Sequence, residues 1–208
     1  MKKLFFILIT VSYFHLLNFA QNFEGVVVMD MTSQGMSITQ EYKIKGDRAV
    51  AEVKVGGIPV QKMYVDGAKK DIYMLRETDK KVAVRIKVND TSKDDDKNKV
   101  KVTETKETKD ILGYKCTKII IEDNKKTTIA WVTKEVNIDF DKLFGSRKEK
   151  DAPTFSKYGF PIEIESKDEN KAITMKVTKI EKNSISDSIF PDLSQYEIQD
   201  MPSMGLGK

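Results

Sequence analysis

Histidine and cysteine are almost missing from this 208-residue chain: His15 and Cys116 are the only ones. The histidine falls within a leader-like N-terminus, so a processed chain would have none. That removes Ser-His-Asp and Cys-His catalysis, histidine-ligated zinc and a histidine pH switch. A single cysteine allows neither an intrachain disulfide nor a thiolate cluster for a metal. Long apolar runs are equally scarce. After the N-terminus the longest are strand-sized, such as 26–29 and 119–121, far short of the about 20 residues a spanning helix needs. Helical periodicity is sparse as well, and no Gly-rich phosphate loop opens a helix, because Gly56-Gly57 lies between two strand candidates.

What is present begins with the leader. Met1-Lys2-Lys3 precedes an apolar stretch from Leu4 to Leu17, and Asn18-Phe19-Ala20 ahead of Gln21 reads as a cleavage site. We expect residues 1–20 to be a signal peptide and residues 21–208 to form one exported domain, periplasmic or associated with an outer membrane. With no cysteine at the cleavage site, a lipid anchor there is not expected. Loss of Lys2 and Lys3 reduces the 36 basic residues to 34 against 32 acidic ones. The basic balance therefore nearly vanishes, and no nucleic-acid partner is expected. The 188 residues that remain of 208 are enough to bury a core without covalent staples.

Period-two alternation dominates the rest, the pattern of strands with one covered face. Val82, Val84, Ile86 and Val88 alternate with Ala83, Arg85 and Lys87. Ile173, Met175 and Val177 alternate with Thr174 and Lys176, and Ile162 and Ile164 with Glu163 and Glu165. Ile129 and Trp131 share a face opposite Ala130 and Val132. Further strands are expected at 24–31, 37–45, 48–55, 60–65, 70–76, 100–105 and 114–121. Gly46-Asp47, Gly56-Gly57, Asp66-Gly67 and Asp123-Asn124 supply turn residues between them. A short helix is expected after Asn137 as N-cap, carrying Ile138, Phe140, Leu143 and Phe144 and stopping at Gly145. A second is expected near 186–196, interrupted by Pro191. The polar stretches 89–99 and 145–152 read as loops, and 197–208 as a flexible tail. A long sheet with so few helices must stack, close, or curl around something. The fold class expected from the pattern is mainly β, an antiparallel sheet with one or two short helices, built as a sandwich, a barrel or a curved half-barrel.

Candidate chemistry is thin. Asp94, Asp96 and Asn98 imitate the start of a calcium loop, but Lys99 and Thr105 occupy the positions where it needs glycine and glutamate. No metal or cofactor is expected. Cys116 reads as a buried, inert thiol, with an intermolecular disulfide as the alternative. Glu163 and Glu165 point the same way from one strand, as on any solvent face. Enzymatic activity is not expected, although an Asp, Glu and Lys-based hydrolase stays open.

From Ile111-Leu112-Gly113-Tyr114-Lys115-Cys116, through Ala130-Trp131-Val132-Thr133-Lys134-Glu135 and Gly159-Phe160-Pro161-Ile162, to Asp187-Ser188-Ile189-Phe190, the chain resembles the DUF4412 group of envelope proteins from Bacteroidetes-type bacteria. It departs from the group's closing pattern, having Phe190-Pro191-Asp192-Leu193-Ser194-Gln195-Tyr196 at that point. The resemblance implies a curved antiparallel sheet in a half-barrel with one or two short helices, similar to the fold of periplasmic lipoprotein carriers, whose concave face holds acyl chains. Together with the uncovered apolar alternation, it implies a lipid or other apolar ligand in the hollow. The expected lining is Val84, Ile86, Tyr114, Ile129, Trp131, Phe140, Phe144, Ile162, Ile164, Met175 and Val177. The alternative is a structural or interaction module with an envelope-protein partner, its hollow filled by Trp131, Phe140, Phe144 and Phe160.

Overall fold

The computed structural model describes residues 22–87, 100–122, 126–144, 155–167 and 172–201. Among these, twelve strands form one open, curved sheet: β1 (Glu24–Ser33), β2 (Met36–Lys45), β3 (Arg48–Val55), β4 (Ile58–Asp66), β5 (Asp71–Glu77), β6 (Lys81–Lys87), β7 (Lys101–Ile111), β8 (Tyr114–Glu122), β9 (Thr127–Thr133), β10 (Phe160–Lys167), β11 (Ala172–Lys182) and β12 (Glu197–Asp200). Their order is β12-β6-β5-β4-β3-β2-β1-β11-β10-β9-β8-β7. Every pairing is antiparallel except β12 on β6. Of the architectures the alternation allowed, the sheet is the curved, open one that the resemblance implied.

Turn chemistry explains why neighbouring strands pair. Gln34-Gly35, Gly56-Gly57 and Leu112-Gly113 each place two successive residues at positive φ, from 51° to 83°, as a two-residue hairpin with the sheet's own twist requires. Gly159 is needed for a different reason: a Cβ there would lie 2.4 Å from the carbonyl oxygen of Thr133.

Helix α1 (Phe140–Phe144) lies against one face, which we call the inner face. Its start differs from the Asn137 cap expected from sequence. Asp139 caps it, its carboxylate accepting from the Lys142 N–H at 3.1 Å, while Val136 and Ile138 enter the core as extended chain. The 186–196 segment makes two 3-10 turns, Asp187–Ile189 and Leu193–Gln195, on either side of Pro191. The expectation of a flexible tail from 197 is corrected for its first residues. Glu197–Asp200 pairs with β6, and Arg85 grips Asp200 through two bonds of 2.6 and 2.9 Å. The loops expected at 89–99 and 145–152, with Asp94, Asp96, Asn98 and Lys99, the expected signal peptide and the end of the tail lie outside the described residues.

The main core sits on the inner face around Phe23, Val27, Ile44, Phe160, Ile162 and Val177. A second cluster lies on the outer face, where Phe190, Leu193 and Tyr196 cover Val50, Tyr64, Tyr73, Leu75 and Ala83. The edge strand β7 is almost wholly polar, Thr103-Glu104-Thr105-Lys106-Glu107-Thr108, with a bulge against β8. Charge and a bulge on an edge oppose pairing with another chain, and this polarity hid the strand's second half from the sequence reading.

Candidate binding surface on the inner face

Strand register sorts every sequence-predicted residue onto a face. One cross-strand row on the inner face runs Ile119, Ala130, Ile164, Met175, Met31, Ile38, Val55, Ile58. It is apolar across eight strands, and its cover thins along its length. Ile119 and Ala130 are fully buried under Phe155 and Tyr158, whereas Val55 is 40% and Ile58 67% exposed. A second row joins Val27, Tyr42, Ala51, Met63, Met74 and Val84.

The end of the inner face nearest α1 is filled. Phe144 meets Tyr42 edge-on at 4.6 Å between ring centroids and stacks on Phe140 at 4.8 Å. Phe140 also meets Phe155 and Phe160 at 5.2 and 6.0 Å. Such edge-to-face arrangements are the favoured geometry of buried aromatic rings. Phe160 is 1% exposed, and burial raises the pKa of the Tyr42 phenol, whose hydroxyl donates to Gln40 at 2.8 Å. This end is a plug, with Lys142 tied to Asp47 at 3.1 Å on the helix's solvent side.

Beyond the plug, toward the hairpin ends of β1–β2 and β3–β4, the same face is covered by nothing among the described residues. Met31, Ile38, Val53, Met63 and Met74 are half-buried there, bordered by Ile164, Met175 and Val84. Methionine dominates this patch, and its unbranched, polarisable side chain adapts to irregular apolar partners.

Of the expected lining, Ile164, Met175 and Val84 border the open patch, and Ile86 continues it along β6 opposite Ile72. Ile162 and Val177 are on the same face but fully buried, so they serve as floor. Phe140 and Phe144 belong to the plug. Register sets Ile129 and Trp131 opposite the row of Ala130 and Ile164, while Tyr114 and Trp131 pack against the main core cluster beside Cys116. Trp131 pairs with Glu163 and Lys118, and Ile129 with Ile120 and Glu165. The Lys109 ammonium lies 4.4 Å from the centroid of the Trp131 ring and 2.5 Å from Glu163. The inward residues of β9 are the small Ala130 and Val132, which made the strand's apolar parity look reversed. Sequence reasoning missed Met31, Ile38, Val53 and Met63. The alternation Ala49, Ala51, Val53, Val55 was the available signal, but only the register joins it to the methionines.

Cys116 is completely buried, opposite Lys109, and burial pushes its thiol pKa up. Its Sγ reaches the carbonyl of Tyr114 at 3.5 Å. On the outer face a groove of about 540 Å³ runs across β2 to β5, lined by Val50, Val60 and Leu75 together with Glu41, Lys43, Glu52, Lys62 and Arg76. Among the described residues no group of side chains is arranged to hold a metal ion, and no helix is long and apolar enough to cross a membrane.

The profile of the family described as Domain of unknown function (DUF4412) matches residues 23–196. The chain belongs to the DUF4412 family. The match runs from just before β1 to Tyr196, and so includes β1 to β11 and the covering segment but not β12. No curated protein matches the chain. Among solved structures it is similar to PNGF-II in a C2 crystal form, with TM-score 0.47 and 13% identity over 86% of this chain and 31% of that one. A P21 form of PNGF-II gives 0.44 and 14% identity over 85% and 31%. This chain therefore spans less than a third of PNGF-II. LprF from Mycobacterium bovis gives 0.36 and 10% identity over 77% of this chain and 89% of its own.

Proposed function

We propose that this DUF4412 protein is an exported, non-enzymatic binding protein of the cell envelope that holds a lipid or another apolar ligand against the open part of its inner face. The observation that carries the reading is the uncovered methionine patch of Met31, Met63 and Met74, continuous with a filled aromatic plug and left half-exposed. An apolar patch of this kind on a soluble domain marks a contact site. Each ligand methylene removed from water there would contribute about 0.8 kcal/mol. The export assignment is supported by the leader-like residues 1–20. The absence of histidine after them and the single buried thiol favour binding over catalysis.

The test is to express the chain with its own leader, purify it gently, and identify bound lipid by native mass spectrometry and extraction. A stoichiometric lipid in the wild type, lost in Met63→Glu/Met74→Glu, is the expected result. A lipid-free protein that also fails to bind a fluorescent fatty acid contradicts the proposal. A second reading, a structural or interaction module, is favoured by the plug itself, since Phe140, Phe144 and Phe160 fill their end of the hollow as that reading requires. Specific recovery of one envelope protein with lipid-free chain would select it.

A further inference from the structure

One-third of the residues of this chain are charged, yet two of its hairpin ends carry no ionisable side chain. One lies between Asp30 and Glu41, the other between Lys54 and Lys62. They are the ends of the β1–β2 and β3–β4 hairpins. The sheet sets these side by side, because Ile38 pairs with Val55 and Val55 with Ile58. At their tips stand the most exposed large apolar side chains among the described residues: Ile58 at 67%, Met36 at 65% and Val60 at 56%, with Val55 and Ile173 beside them. All project from the end of the sheet onto which the methionine patch opens.

The charges bounding these tips already have partners. Thr39 donates to Asp30 at 2.7 Å, Lys54 bridges Glu41 and Glu52 at 3.4 and 3.8 Å, and Lys62 faces Glu77 at 3.6 Å. The backbone is satisfied as well, since two-residue turns close both ladders, leaving only Gly and neutral polar groups at the apex. An apolar tip with a hydrogen-bonded backbone and no free charge suits the boundary between headgroups and acyl chains, where apolar side chains bury and polar apex groups stay wet. The tips themselves carry no charge to attract an anionic surface, and the nearest cations, Lys43, Lys62 and Arg76, lie in the outer-face groove that Val60 lines.

We propose that these paired hairpin ends dock the protein on a zwitterionic lipid surface, seating Met36, Val55, Ile58 and Val60 in the interface and bringing the open inner face to the membrane. This rests on the apolar-ligand reading for its purpose, the transfer of that ligand, but the docking is measured independently. The experiment is flotation of the full exported chain with phosphatidylcholine vesicles, beside a fluorescent fatty-acid titration of the same samples. The wild type is expected to float equally at low salt and at roughly 0.5 M salt, where charge attraction is screened within a few ångströms. Met36→Asp/Val60→Asp, altering two exposed side chains outside the methionine patch, is expected to reduce the floating fraction at least tenfold and to leave fatty-acid binding unchanged. Flotation that persists in a chain that binds no fatty acid supports docking while removing the ligand reading. A wild type that stays at the bottom overturns the proposal. So does flotation on anionic vesicles alone that salt abolishes, or a double variant that floats like the wild type.

Discussion

The two ends of the inner face are built from the same alternating strands, but one is closed and the other is not. Near α1 the rows end in rings that pack on rings, and Phe160, Ile162 and Val177 are sealed from water. Toward the hairpin ends the same strands present methionine and β-branched side chains that remain half-exposed. Rigid aromatics specify one packing, whereas methionine tolerates many. The difference assigns stability to the plugged end and adaptability to the open end.

That contrast can be broken most sharply at Phe160. Phe160→Ala should cost about 3–5 kcal/mol, the range for deleting a sealed aromatic ring, measured by denaturant unfolding. Met63→Ala at the open end should cost about 1 kcal/mol, since a half-exposed side chain loses less burial and leaves no sealed void. Equal costs at the two sites would remove the distinction. A smaller effect is expected from acid on the outer-face cover. Lys45 and Arg48 hold the Asp187 carboxyl below its ordinary pKa, and Arg85 does the same for Asp200. A depressed carboxylate adds stability that is complete above its unfolded pKa and lost as pH falls through the folded one. Hydrogen exchange of residues 187–200, corrected for intrinsic rates, should therefore quicken below about pH 4 while the plugged end stays protected. The smallest effect is expected on the polar side of the sheet. Lys109→Gln should change stability by under about 1 kcal/mol, because its pair with Glu163 is partly solvated.

Much of this was legible in the sequence. Strands β2, β3, β4, β5 and β8 follow from alternation and turn residues to within two residues at each end. What was lost has identifiable causes. The second half of β7 is polar because it is an edge. The strand Glu197–Asp200 is exposed throughout and is held by Arg85 and pairing with β6, neither of which local pattern reveals. The helix starts late because Val136 and Ile138 are core residues of an extended segment. For the candidate site, the alternation picked Ile164, Met175 and Val84, which register sets at the border of the open patch. It grouped Trp131 with Ile164, whereas register gives that row Ala130, and it missed Met31, Met63 and Met74 because cross-strand rows exist only once register is known.

The central claim is that apolar ligands meet the methionine end of the inner face and nothing near Trp131. Titration of a fluorescent fatty acid against the wild type, Met63→Glu/Met74→Glu and Trp131→Ala tests it most directly. The account requires saturable binding by the wild type, at least a tenfold loss in the methionine variant, and unchanged binding in Trp131→Ala. Binding that survives the glutamates, or is lost with the tryptophan alone, would contradict it.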